Sequence, residues 1–146
     1  MTIGLLSHPN STTHSLLEED LAYLHTLLET LEVTDVLTTF TPAWENLVTL
    51  TALESGIHLT GVLPCSEYAE IFDDYQALQQ LTQLWTLADH LHALPFEYYS
   101  EEAMAAAQRW IVKQSDAVFS LDRSPNEGLL YAEKLGVTIY QPLVLA

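Results

Sequence analysis

Compact apolar runs alternate along this chain with longer stretches whose leucines recur every three or four residues. "TIGLLS" at 2–7 predicts a buried strand. The polar turn "HPNSTTHS" leads into a helix over 15–31, where Leu17, Leu21, Leu24, Leu28 and Leu31 make one apolar face. "DVLTTF" at 35–40 has strand character. Pro42 then opens a helix over 43–55 that closes at Gly56. "IHLTGVLP" at 57–64 reads as the third strand. Over 66–90 the positions of Tyr68, Ile71, Phe72, Tyr75, Leu78, Leu81, Leu84 and Leu87 suit one or two helices, and "HLHALPF" suits a short strand or an extended connection. "SEEAMAAAQRWIVKQS" has Ser100 as an N-cap, acids in the first turn and basic residues toward the end, all favourable to a helix. A strand "DAVFSL" at 116–121, a helix over 126–135 stopped by Gly136, and a strand "VTIYQP" at 137–142 complete the series.

Strand and helix alternating throughout predict an α/β fold: one Rossmann-like domain over 1–146, with three α/β/α layers around a mainly parallel sheet. The first strand, "HLTGVLP" and "DAVFSL" are apolar on both faces and belong in the middle of that sheet. With 146 residues, a single domain buries roughly 70% of its unfolded surface and needs no covalent staple.

Composition narrows the function classes. Twenty acidic residues stand against four basic ones, and Arg109, Lys113, Arg123 and Lys134 all lie in the C-terminal part. A surface of this sign repels DNA, RNA and anionic membrane, so no direct nucleic-acid or membrane partner is expected. Cys65 is the only cysteine, which rules out an intramolecular disulfide and fits a cytoplasmic setting. No run approaches the length of a membrane span. His90 and His92 in "DHLH" share one face of a strand and could ligate a metal with Asp89 or Glu97, but a cofactor is not specified by the sequence and no metal site is assigned.

The candidate ligand site follows from the fold. In open α/β sheets ligands sit beyond the carboxyl ends of the strands. There the sequence offers Asn10, Ser11 and Thr12 after strand one, Thr39, Thr41 and Trp44 after strand two, and Pro64, Cys65 and Glu67 after strand three. Asp122, Arg123, Asn126 and Glu127 follow the penultimate strand. As a pocket, Arg123 is the anion ligand, Asn126 and Ser11 hydrogen-bond, and Trp44 is a stacking wall. As plain structure, Asn126 and Ser11 cap helices and Trp44 packs in the core.

"WIVKQSDAVFSLDRSPNEGLLYAEKLGVTIY" together with "TALESGIHLTGVLP" resembles the SLOG superfamily of Rossmann-like domains, closest to the YpsA-like branch. The order of elements is similar over roughly residues 1–142. The resemblance implies a nucleotide-related ligand, held in nucleotide-binding members by a glycine-rich turn after the second strand. Here that place holds "TTFTPAWENL", without glycine. The phosphoribohydrolase turn is also absent: with Gly128 on its final glycine, Leu129 stands at its threonine and Ala132 at its glutamate. The nucleophile of the deoxyribosyltransferases falls on Tyr131. The resulting expectation is a small-molecule or nucleotide-binding domain, a ligand sensor with degenerate catalytic motifs. The alternative is an acidic module for a basic partner that mimics nucleic acid. The many aromatics at Tyr68, Phe72, Tyr75, Trp85, Tyr98, Tyr99 and Trp110 lead us to expect a homodimer.

Overall fold

The structure, a computed structural model, describes residues 1–7, 18–41, 44–120 and 126–141, without the side chains of residues 18–21, 44 and 47. Six strands, β1 (Thr2–Leu5), β2 (Asp35–Thr38), β3 (His58–Leu63), β4 (His90–Ala93), β5 (Ala117–Phe119) and β6 (Thr138–Tyr140), form one sheet in the order β4-β3-β2-β1-β5-β6. Every pairing is parallel. Five helices connect them: α1 (Glu18–Thr30), α2 (Trp44–Glu54), α3 (Tyr75–Leu87), α4 (Glu101–Gln114) and α5 (Glu127–Leu135). The expected α/β class, the parallel sheet and the interior positions of β1, β3 and β5 are all present.

The pleat explains the three layers. Alternate strand residues point to opposite faces. Ile3, Leu5, Val36, Leu59, Leu63 and Phe119 pack with leucines of α1 and α3 and with Val48 and Ala52 of α2. On the other face Leu6, Leu37, Val62 and Val118 meet Ala107, Ile111 and Val112 of α4 and Leu129 and Ala132 of α5. The segment left open between one and two helices resolves into a short 3-10 turn, Tyr68–Ile71, followed by α3, and "HLHA" becomes the edge strand β4. Asp74 supplies the break between them. Its carboxylate accepts from the Gln76 N–H at 3.0 Å and starts a new helix. Ser100 caps α4 as its sequence predicts, accepting from the Ala103 N–H at 3.0 Å. Among the described residues, no helix is long and apolar enough to cross a membrane.

The first four strands are laid down in succession toward one edge. The chain then crosses back through α4 and places β5 on the other side of β1. The strand order therefore reverses between β1 and β5, and a crevice at the carboxyl ends of these strands is where this architecture admits ligands.

Candidate functional site

At the carboxyl ends of β1, β2 and β5 the core turns polar. Ser7, Thr38, Thr39, Thr41, Glu45, Gln108, Ser120 and Asn126 are all buried. Each buried polar group needs a partner, since leaving one unmade costs about 1–3 kcal/mol. Here the partners are mostly one another.

Glu45 is the centre of this group. It lies in the first turn of α2, where the helix dipole favours an acid, and its side chain has no exposed surface. The carboxylate accepts the Thr39 N–H at 2.8 Å, the Thr39 hydroxyl at 3.2 Å, and the hydroxyls of Thr38 and Ser7. With its proton spent on Glu45, Thr39 Oγ1 accepts from Thr41 at 2.9 Å, and Thr38 Oγ1 likewise accepts the Phe40 N–H at 3.0 Å. Burial raises the Glu45 carboxyl above its ordinary range, and its hydrogen bonds from Ser7, Thr38 and Thr39 offset only part of that. Tyr68 donates its hydroxyl to the Thr39 carbonyl at 2.8 Å. Burial, and then the proximity of Glu45, push its phenol upward, so it stays a neutral donor.

The network continues from β1 to α4 and α5. The Ser7 carbonyl accepts Gln108 Nε2 at 2.8 Å, and Gln108 Oε1 accepts the Gly128 N–H at 3.0 Å. Gly128 is needed for this approach, because a Cβ there would fall 2.8 Å from Leu6 Cδ2 and 3.1 Å from Gln108 Cβ. The next N–H, that of Leu129, is taken by Asn126 Oδ1 at 2.9 Å. One hydrogen-bonded belt thus runs from α5 through α4 and β1 to α2, the end of β2 and the 3-10 turn. At its α5 end, Asn126 Nδ2 is buried and has no partner among the described residues. Asn46 Oδ1 is in the same condition, while its Nδ2 donates to Gln80 of α3 at 3.0 Å.

Of the residues expected at the site, Asn126 lies in this belt as the N-cap of α5. Glu127 is exposed and pairs with Arg109 at 3.1 Å. Trp44 opens α2, its side chain being outside the described residues. Asn10, Ser11, Thr12, Asp122 and Arg123 also lie outside them. Cys65 is buried and its thiol is pushed up by that burial, which fits inert packing. His92 stacks on Trp110 with ring centroids 4.1 Å apart, while His90 is exposed.

Ser7, Glu45 and Gln108 were not singled out by the motif reading. A signal for two of them exists in the helical pattern. Glu45 precedes Val48 and Ala52 on the inward stripe of α2, and Gln108 stands between Met104 and Val112 on the inward stripe of α4. A polar residue at an apolar stripe position marks a buried hydrogen-bonding partner. Compared with known proteins, the chain matches no family model and no curated protein.

Proposed function

We propose that this protein is a small-molecule-binding Rossmann-like domain, a ligand sensor, that takes its ligand at the carboxyl rim of the sheet where the strand order reverses. The observation that carries the reading is the buried, unpartnered Nδ2 of Asn126 at the α5 end of the polar belt. A ligand acceptor there relieves a cost of about 1–3 kcal/mol. Kinship with the SLOG domains is part of the same proposal, supported by the parallel sheet and the order of its elements. A thermal-shift screen with nucleosides, nucleotides and sugars tests it. A rim ligand at a hundred times its Kd stabilises by about 2.7 kcal/mol, and replacing Asn126 by Asp, which keeps the helix cap, should reduce the shift. A full panel without any shift would remove the reading.

A second reading rests on charge. Asp73, Asp74 and Glu70 are exposed beside Tyr75, which is 71% exposed, and a basic protein partner would match that surface. Such a partner would leave the rim variant's behaviour unchanged and would dissociate with added salt.

A further inference from the structure

We propose that the ligand meets the turn after β2 and the start of α5 with uncharged, hydrogen-bonding groups, such as sugar hydroxyls, and not with a phosphate. The inference rests on the rim being the ligand site. Backbone N–H groups at βα turns and helix N-termini are what this architecture offers an anion. At both places the protein supplies its own occupant. After β2, the Thr39 N–H and the hydroxyls of Ser7, Thr38 and Thr39 converge on the Glu45 carboxylate, which fills the position an external oxyanion would take. At α5, Gln108 holds the Gly128 N–H and Asn126 holds the Leu129 N–H. Arg109, a basic side chain beside the start of this helix, is already paired with Glu127. What Asn126 Nδ2 still offers is a single neutral amide donor, suited to a hydroxyl or carbonyl oxygen.

The test compares matched probes on the intact protein by calorimetry at physiological ionic strength: adenosine against adenosine monophosphate, and ribose against ribose 5-phosphate. The uncharged member of each pair that binds should do so at least about tenfold more tightly, a difference of about 1.4 kcal/mol. Raising the salt, which screens the general repulsion of an acidic protein, should leave most of that preference in place. Glu45→Ala should empty the oxyanion position. Acetate or inorganic phosphate should then raise its melting temperature relative to chloride at equal ionic strength, and should have no such effect on the parent protein. Should Glu45→Ala fail to fold, the probe pairs on the parent protein still decide. Tighter binding of the phosphorylated members, lost in Arg123→Ala, would overturn the ligand class while leaving the rim as a site. Binding of none of the four probes, with no effect of Asn126→Asp on any other ligand found by the screen, would overturn the rim reading and this inference with it.

Discussion

Phe40 has φ of +59°, a conformation rare for a side chain of its size, and the strain of about 1–3 kcal/mol must be held in place by its surroundings. The ring is fully buried, and the Phe40 N–H is satisfied by Thr38. Room for the ring comes from Gly61 of β3. A Cβ there would overlap the Phe40 ring and lie 2.8 Å from Leu91 Cδ2. Gly61→Ala should therefore destabilise the fold by about 1–3 kcal/mol, read from urea denaturation, and a neutral result would mean that the turn can relax. Glu45 has a pH signature of its own. Its folded pKa lies above the unfolded one, so its contribution to stability is complete at acid pH and is lost as pH rises from the ordinary carboxyl range, about 4.3, through the folded value. The stability of the parent protein minus that of Glu45→Gln should fall over the interval from about pH 4.3 to the folded value. A difference that grows over that interval would mean that the hydrogen bonds, not burial, dominate.

The elements most legible in the sequence were those whose ends carry local chemistry. Ser100 and Asn126 cap α4 and α5 through hydrogen bonds that their own sequence neighbours complete, and Gly136 ends α5 in the left-handed conformation. The strands were legible because a sheet covered on both faces admits little but apolar residues. The 3-10 turn at Tyr68–Ile71 was less so: Tyr68, Ile71 and Phe72 fit a helical stripe, but the break at Asp74 depends on a side-chain hydrogen bond. The site was legible only in place. That a rim of polar residues follows the strands can be read from one sequence. That Glu45 folds back onto Thr39, or that Gln108 reaches Ser7 from 101 residues away, depends on the packing of α2 and α4 over the sheet.

For the whole molecule, the aromatic surplus is mostly absorbed within the chain. Tyr68 is buried, Phe72, Trp85 and Tyr99 pack against the larger core, and Trp110 packs against the smaller one, which leaves Tyr75 and Tyr98 exposed among the seven. We propose a homodimer on three of the exposed apolar groups, Tyr75, Leu87 and Leu91, with β4 at the edge of the sheet. Because the net charge of −16 opposes self-association, sedimentation should show the dimer fraction rising from low to physiological salt, and a monomer at every salt concentration would end that proposal. The return crossover has a further consequence during synthesis. β1 is an edge strand until β5 docks beside it, with Leu5 set against Phe119. Until the ribosome has released β5, one side of the apolar first strand is a bare edge, the kind of surface on which nascent chains aggregate or recruit chaperones. A nonsense mutation or proteolytic loss ahead of Ala117 thus leaves a sticky remnant, not a smaller working domain.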